Sequence, residues 1–417
     1  MCSQKKTKSV WMQPFVLYFL MMTLGVFCGL SHVDFLHSFG SMISDIFIKI
    51  FKFISMPIIA LSIIVTMSSY ENNDREMSRV WRKTLFYTFS TTLIAAMVSC
   101  LLYVFIHPKN VKFNTENIDT VVNNKTTYWQ HLTSLIPNNI FSPFIEHQVL
   151  SVLMLGMLIG IAIRYIPDHD AKIAVKHFFK GFHGIFFIMT QWVITILPLG
   201  VFGFMTVTVI QLRNGVNIHG IAEYLLVIVA ANVIQGFVIL PAWLSFNKIK
   251  PFDTMKKMMP ALTLAFFSKS SAGTLPVTIN TAETKLGLSP KISRFVLPLC
   301  TSLNMNGCAA FIFATVIFLM QNSGVEITAL TMSMWVIIAT IAAIGNAGVP
   351  MGCFFLSASL LTSMDIPIVL MGIILPFYTI IDMLETSLNV WSDSCVAKVV
   401  SHDNLQTYPE LVLNESQ

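Results

Sequence analysis

Two short segments that contain glycine and proline, SKSSAGTLP at residues 268–276 and GNAGVPMG at residues 345–352, each interrupt a long apolar stretch of this 417-residue chain. Glycine and proline at membrane depth leave backbone polar groups without helical partners, and lipid cannot satisfy them. Such breaks are tolerated only where the backbone is buried or lines a cavity, and a pair of them indicates the binding site of a transporter. The two segments therefore predict two re-entrant helical hairpins, over about 252–281 and 327–366.

Long apolar stretches surround these hairpins. The chain is 55% hydrophobic and 11% charged, whereas soluble domains are about 25% charged. An all-α polytopic membrane protein with eight transmembrane helices and two hairpins is expected. The predicted spans are 11–31, 42–68, 84–106, 144–165, 182–211, 221–245, 295–320 and 368–392.

Positive charges predict the orientation of these spans. They concentrate at 5–8, 75–83, 164–180 and 248–257, whereas the alternate loops contain few, and residues 31–40 have none. Loops rich in lysine and arginine face the cytoplasm. Both termini are therefore expected in the cytoplasm, with the chain in the inner (plasma) membrane and the first span retained rather than cleaved as a signal. The net charge of +5 lies in these loops and needs no nucleic-acid partner to explain it.

The cysteines and histidines show no spacing typical of a metal site or a disulfide framework. The ten histidines scatter, mainly in loops, and most of the seven cysteines lie in apolar stretches. We interpret these cysteines as small buried apolar side chains rather than as disulfides or zinc ligands. The sequence also lacks a nucleophile–base arrangement and a phosphate loop, so an enzyme is not expected. The cysteines are Cys2, Cys28, Cys100, Cys300, Cys308, Cys353 and Cys395.

A polar stripe runs along the last predicted span. Its members recur at helical spacing on an otherwise apolar helix. Ionisable residues inside a span cost about 2.5–3.5 kcal/mol each on insertion scales, so they usually face a functional interior. The stripe consists of Asp382, Glu385, Thr386, Asn389 and Asp393.

Four motifs in order, SKSSAGTLPVT, ISRFVLPLCTSLNMNG, AGVP and IDMLETSLNVWSD, resemble those of the glutamate/aspartate transporter family, the dicarboxylate/amino acid:cation symporters. The resemblance covers the whole chain and is strongest over about 252–400. It implies a homotrimer built on inverted repeats. In that fold a static scaffold holds a mobile transport domain, which carries sodium and an amino acid across the bilayer by an elevator movement.

The resemblance also implies a division of the chain into domains. Scaffold segments alternate with segments of the transport domain. Residues 1–70 would form the first scaffold helices, 71–143 the third helix of the transport domain with a polar outer loop, 144–220 the scaffold and trimerisation helices four and five, 221–400 the rest of the transport domain, and 401–417 a cytoplasmic tail.

The family pattern assigns a substrate site to matching positions. Asp382 would hold the substrate amine and Asn389 its carboxylate, with Thr386 beside them on the stripe. Cys308 stands where the family has a threonine beside the substrate side chain. The tip of the first hairpin would contribute hydroxyl and backbone N–H groups, and small residues there could instead serve close packing. The tip residues are Ser270, Ser271 and Gly273.

The same pattern predicts sodium, the co-transported ion, on oxygen ligands, and no organic cofactor. One site would use Asn304, Asn389 and Asp393. A second site would combine the third predicted span with Asn306, where the family has an aspartate, so this site loses a charge. Ser302 is a further candidate ligand near the second hairpin. The residues of the third span are Tyr87, Ser90 and Thr91.

Glu385 is the largest departure from the family, because acidic-substrate members have an arginine there to pair with the substrate side chain. A glutamate would repel that carboxylate, so the substrate is not expected to be a simple acidic amino acid. Glu385 could pair with a cationic group of the substrate. It could instead pair with Lys269, which would leave a neutral pocket for small polar amino acids, or bind a coupling proton. Two alternatives stay open: a glutamate/aspartate symporter with sodium or proton coupling, and a passive channel.

Overall fold

We describe a computed structural model of the chain. It describes residues 14–68, 75–111, 139–145, 149–213, 219–344, 346, 351–364 and 366–407. Helices make up nearly all of these residues, and the described ranges contain no β-strand. The polar outer loop predicted within 71–143 and the predicted tail at 401–417 fall largely outside the described residues.

The described residues form one π-helical turn and fifteen α-helices. In chain order they are α1 (Pro14–Leu30), α2 (Asp34–Ser68), α3 (Arg75–Ile106), α4 (Ser142–Ile145), α5 (Val149–Arg164), α6 (His169–Arg213), α7 (His219–Ile234), α8 (Leu240–Phe246), α9 (Pro251–Ser268), α10 (Ser271–Thr284), α11 (Pro290–Leu303), α12 (Asn306–Asn322), α13 (Ala329–Ile344), α14 (Gly352–Ser363) and α15 (Val369–Thr407).

Four spans within the described ranges are long and apolar enough to cross a membrane, namely Met77–Ile106, Gly220–Phe246, Pro290–Asn322 and Leu370–Asn404. They coincide with four of the predicted spans. A fifth, within α6, qualifies if its two parts, bent by 51°, count as one span. The other predicted spans appear as shorter apolar helices over their described residues, so the total of eight stays a prediction.

The first predicted hairpin is a helix–break–helix unit. Helices α9 and α10 pack against each other, and the break between them falls at Lys269 and Ser270. Lys269 adopts the left-handed conformation with φ 54°, and Ser270 begins α10 by accepting a hydrogen bond from the Gly273 N–H at 3.0 Å. A serine at this position satisfies one of the free N–H groups of a helix start. The polar sequence predicted as a break therefore also caps the helix that follows.

The second predicted hairpin corresponds to α13 and α14, which both pack on α12. Met351 precedes α14 in the left-handed conformation, with φ 61°. Of residues 345–350, only Asn346 is described. Helix α13 thus ends before the predicted second break and α14 begins at its last residue, and the break itself lies mostly outside the described residues.

The helices fall into two groups by their contacts. Helices α1, α2, α5 and α6 pack mainly on one another, whereas α3, α7 and α9–α15 pack around α12 and α15. Small residues permit close approach in the first group. A Cβ on Gly25 would lie 2.7 Å from the Phe202 carbonyl oxygen, and α1 therefore lies directly on α6. The predicted assignment of these groups to a scaffold and a transport domain remains a prediction.

The last helix continues through Thr407, beyond residue 401, where a cytoplasmic tail was expected to begin. Asp403 of this final part accepts hydrogen bonds from Lys83 Nζ at 2.7 Å and from the Tyr87 hydroxyl at 2.8 Å. These contacts join the end of α15 to the N-terminal half of α3.

Candidate functional site

The site is built around the break between α11 and α12. Asn304 and Met305 have non-helical backbone angles, with ψ of 71° and 66°, so the chain unwinds in the middle of an apolar span. Helix α15 crosses this break closely, because a Cβ on Gly307 would lie 2.8 Å from the Glu385 Cα atom. Non-helical backbone at this depth exposes polar groups to the facing helix. The site therefore forms between α12 and α15.

Asp393 of α15 accepts hydrogen bonds from α11 and from the break. The Asn304 amide donates to Asp393 Oδ1 at 3.0 Å, and the Thr301 hydroxyl donates to Oδ2 at 3.4 Å. The same amide donates to the Ser392 hydroxyl at 2.9 Å. All four side chains are buried. The structure thus brings together Asn304 and Asp393, two of the predicted sodium ligands.

Asn306 lies in a second, neutral part of the same network. Its amide donates to Asn304 Oδ1 at 2.9 Å and to the Ser392 hydroxyl at 2.8 Å. Its own Oδ1 accepts a hydrogen bond from the Gln235 amide at 2.7 Å. Gln235 Nε2 also donates to the backbone oxygen of Thr91 at 3.2 Å. An amide donor therefore points at the oxygen that the family pattern assigns to sodium.

Gln235 is a site residue that the sequence analysis missed. It is 1% exposed and begins a π-helical turn, Gln235–Ile239, a rare element that occurs frequently at functional sites. The Trp391 indole of α15 donates to the Gly236 carbonyl in this turn at 3.1 Å. A polar side chain inside the apolar span 221–245 was the signal that could have identified it.

The structure places the third-span candidates differently from one another. Thr91 joins the network, because its hydroxyl donates to Asn304 Oδ1 at 3.0 Å. The Tyr87 hydroxyl instead donates to Asp403, and the Ser90 hydroxyl donates to the Phe86 carbonyl of its own helix at 2.7 Å. Ser302 is half-buried near the end of α11. Among the third-span candidates, only Thr91 has a described hydrogen bond to the amide network.

Asp382 and Glu385 form a pair of buried carboxylates one helical turn apart. Asp382 accepts a hydrogen bond from the Met351 N–H of the second break and interacts electrostatically with Lys269 of the first. Glu385 Oε2 accepts a hydrogen bond from the Tyr378 hydroxyl at 3.2 Å. Within the described residues, Asp382 Oδ2 and Glu385 Oε1 have no hydrogen-bond partner although both atoms are buried. Two carboxylate oxygens are thus left to bind something other than the described chain.

The other predicted substrate residues lie around these carboxylates or at the first break. Thr386 and Asn389 are buried on α15, and Asn389 Oδ1 accepts a hydrogen bond from the Gly307 N–H at 2.9 Å. Ser270 and Ser271 are buried at the start of α10. The Ser270 hydroxyl oxygen already accepts a hydrogen bond from the Gly273 N–H, which caps this helix. The role of these residues in binding a substrate stays a prediction.

The prediction that the cysteines form no disulfide is wrong for two of them. Cys308 of α12 and Cys353 of α14 are disulfide-bonded, with Cα atoms 5.4 Å apart, a separation typical of such bonds. Asn346 donates from its amide towards both sulfur atoms, at 2.9 Å and 3.2 Å. Because 45 residues separate the two cysteines, spacing could not reveal the pair. Cys28, Cys100, Cys300 and Cys395 are free.

A family model described as the sodium:dicarboxylate symporter family matches residues 15–403. The chain belongs to the sodium:dicarboxylate symporter family. This membership confirms the resemblance and the polytopic helical fold. It also confirms the prediction that the chain is a transporter rather than an enzyme, because the family consists of membrane symporters.

Relatives within the sodium:dicarboxylate symporter family carry two kinds of name. A Caenorhabditis elegans protein named as a sodium-dependent excitatory amino acid transporter, glt-4, is 24% identical over 87% of this chain and 83% of its own length. The mouse neutral amino acid transporter B(0) is 26% identical over 59% of this chain and 44% of its own length. The human neutral amino acid transporter A is 25% identical over 61% of this chain and 48% of its own length. The chain thus spans about half the length of these neutral amino acid transporters.

Proposed function

We propose that this protein is a secondary active symporter that couples sodium to the uptake of an amino acid whose side chain is positively charged, and that it works by an elevator movement. The observation that carries the proposal is the buried Glu385 carboxylate, whose Oε1 atom has no partner among the described residues. It lies one helical turn from Asp382, the expected ligand of the substrate amine.

Asp382 supports an amino acid as the substrate. Its carboxylate is contacted from the second hairpin break by the Met351 N–H and faces the charge of Lys269 at the first. A substrate ammonium group bound to Oδ2 would complete the hydrogen bonding of a buried carboxylate, which is costly to leave unpaired. The substrate would therefore lie between the two breaks and hold both against α15.

Glu385 argues against an acidic side chain on the substrate. Two like charges about 4 Å apart repel by roughly 4 kcal/mol at an effective dielectric constant of about 20. That energy corresponds to about a thousandfold in affinity. Family members that carry acidic substrates would use an arginine here, whose planar fork suits a carboxylate. An ammonium or guanidinium group on the substrate would instead satisfy Glu385 Oε1.

Asp393 supports sodium coupling. The Asn304 amide and the Thr301 hydroxyl each lie within hydrogen-bond distance of the Asp393 carboxylate, and all three side chains are buried. Carboxylate, amide and hydroxyl oxygens are the ligands that hard cations prefer. A bound sodium ion would offset the charge of Asp393. The loaded domain would then cost less to move through the bilayer than a half-loaded one.

The two groups of packed helices support the elevator movement. The group formed by α1, α2, α5 and α6 would serve as the static scaffold and trimerise. The group around α12 and α15 contains every residue proposed to bind substrate or sodium, so it would move as the loaded unit. The protein would act as a homotrimer in the cell inner membrane, with both termini in the cytoplasm.

The relatives include proteins named as excitatory and as neutral amino acid transporters, so their names leave the charge of the substrate side chain open. The runner-up function is therefore an acidic amino acid symporter with sodium or proton coupling. It would require Glu385 to be protonated or turned away from the substrate.

Uptake into proteoliposomes tests the proposal. Labelled lysine, arginine, serine and aspartate are supplied with an inward sodium gradient, to the wild type and to Glu385→Gln. We expect sodium-driven accumulation of a cationic amino acid, and a loss of at least tenfold in its apparent affinity in the variant. Glu223→Gln serves as the matched control, because Glu223 lies at the start of α7, where it contacts Lys109.

Three other outcomes would overturn parts of the proposal. Accumulation of aspartate by the wild type would favour the acidic symporter. Uptake that depends on a proton gradient and does not depend on sodium would assign the coupling to a proton on Glu385. Equilibration of substrate without accumulation against its gradient would indicate a passive channel.

A further inference from the structure

Three buried side chains from three helices meet beside the proposed substrate site. Cys308 of α12, Cys353 of α14 and Glu385 of α15 each offer one ligand atom, and these atoms lie within 4.8 Å of one another. We propose that, when the two cysteines are reduced, this cluster binds a thiophilic divalent cation such as Zn²⁺ and fixes the second hairpin against α12 and α15.

The donor set matches the preference of zinc. Two thiolates and one carboxylate are three of its usual ligand types, at about 2.3 Å for sulfur and 2.0–2.2 Å for oxygen. Ligand atoms around a tetrahedral zinc ion therefore lie roughly 3.3–3.8 Å apart. The cluster is compact enough for this geometry after a small rotation of the cysteine side chains. The fourth position would be filled by water.

Glu385 provides an independent sign that the cluster can take a ligand. The side chain is 1% exposed, and its Oε1 atom has no described partner. Its other oxygen is held by the Tyr378 hydroxyl at 3.2 Å. Metal-binding carboxylates are commonly fixed by such an outer hydrogen bond, which orients the free oxygen towards the ion.

Amide donors already surround the sulfur atoms. Asn346 donates towards Cys308 Sγ at 2.9 Å and Cys353 Sγ at 3.2 Å, and Asn389 donates towards Cys308 Sγ at 3.6 Å. Hydrogen bonds donated to a thiolate favour the thiolate over the neutral thiol. These amides therefore stabilise thiolates, which are the forms of cysteine that bind metals.

The disulfide and the metal-bound form exclude each other. A dithiol reductant gives two electrons and two protons to the Cys308–Cys353 bond, yields two thiols and itself becomes a disulfide. The cation then replaces the two thiol protons, which are released to solvent. Metal binding is thus expected only from the reduced protein.

Metal binding would also arrest transport, because the same Glu385 oxygen is proposed to hold the substrate. In addition, the metal would tie Cys353 of α14 to Glu385 of α15. This consequence rests on the proposed function, whereas metal binding itself does not. The two statements therefore need separate measurements.

Cadmium titration of the purified full-length protein tests the site, since Cd²⁺ has the same ligand preference and its thiolate bonds absorb in the ultraviolet. The protein is reduced with a phosphine, its free thiols are counted, and Cd²⁺ is added. We expect one Cd²⁺ per chain with thiolate absorbance, absent in Cys308→Ser and Cys353→Ser and at least tenfold weaker in Glu385→Gln. Cys100→Ser is the control, because Cys100 is a free cysteine of α3.

Three results would overturn the site. Cd²⁺ could bind equally before and after reduction, it could still bind to Cys353→Ser, or no reductant could reduce the Cys308–Cys353 disulfide. Should Glu385→Gln elute as an aggregate in size-exclusion chromatography, the two cysteine variants decide the question alone. Uptake is then measured with and without Cd²⁺. If cadmium binds as expected but no amino acid is transported, only the proposed function fails.

Discussion

The Gln235 amide donates a hydrogen bond to Asn306 Oδ1 across 2.7 Å. In the family pattern the position of Asn306 carries an aspartate, whose carboxylate binds sodium. Here a neutral amide takes its place, and a neighbouring amide N–H points at the remaining oxygen. A donor from the protein thus stands where a cation would otherwise contribute positive charge.

Asn306→Asp should strengthen sodium binding. The carboxylate would restore a hard anionic ligand, and Asn304 Oδ1 would be released from its hydrogen bond with the Asn306 amide. We expect the sodium concentration for half-maximal uptake to fall about tenfold, which corresponds to about 1.4 kcal/mol. Asn322→Asp, at the far end of the same helix, is the matched control. An unchanged or higher sodium requirement in Asn306→Asp would show that no cation binds at this network.

Asp393→Asn should weaken the coupling to sodium. The substitution keeps the shape of the side chain but removes the only charge in the cluster with Asn304 and Thr301. We expect the sodium concentration for half-maximal uptake to rise at least tenfold, measured at saturating substrate. Asp253→Asn is the control, because Asp253 is exposed and pairs with Lys257 at 2.8 Å. Sodium dependence that stays at the wild-type level would remove Asp393 from the proposed site.

Glu385→Arg should reverse the selectivity of the site for the substrate side chain. Asp382 would still hold the substrate amine, whereas the guanidinium would attract a carboxylate where Glu385 repelled it. We expect measurable aspartate uptake and a loss of at least a hundredfold in affinity for cationic amino acids. Glu385→Gln is measured in parallel as the control, because that variant removes the negative charge without adding a positive one. Preference for the same substrate in all three proteins would mean that this position does not face the substrate.

Gly307→Ala should destabilise the protein. A Cβ there would lie 2.8 Å from Glu385 Cα and 2.9 Å from Asn232 Oδ1, so α12 and α15 would have to separate. Overpacking of this kind costs about 1–3 kcal/mol, and we expect a lower apparent melting temperature in detergent. Gly184→Ala in α6 has no atom within 4 Å of the new Cβ and should match or exceed the wild type, since alanine favours a helix. Equal melting temperatures for both variants would refute the close packing.

The polar stripe of the last span shows how much the sequence could predict. Its five members were expected to face an interior because charge in lipid is costly, and all five are buried on α15. The break of the first hairpin was found in the same way, from residues that cannot continue a helix in lipid. Predictions of this type succeed because each depends on local composition and helical spacing.

Contacts between distant segments could not be predicted in that way. Gln235 contacts Asn306 and Thr91 only because three helices converge. The sequence around Gln235 does not indicate these contacts. The same is true of Cys308 and Cys353. Tyr87 illustrates the reverse case, since it has the expected spacing on its helix but donates to Asp403 at the other end of the chain.

The π turn at Gln235–Ile239 holds one residue more than the α turn it replaces, so the helix beyond it is rotated by about 100°. Positions before and after the turn therefore belong to two different helical wheels. A relative that lacks the extra residue has to be aligned with a one-residue gap here. Without that gap, the buried Leu244 would be matched to the position of Ser245, which is exposed.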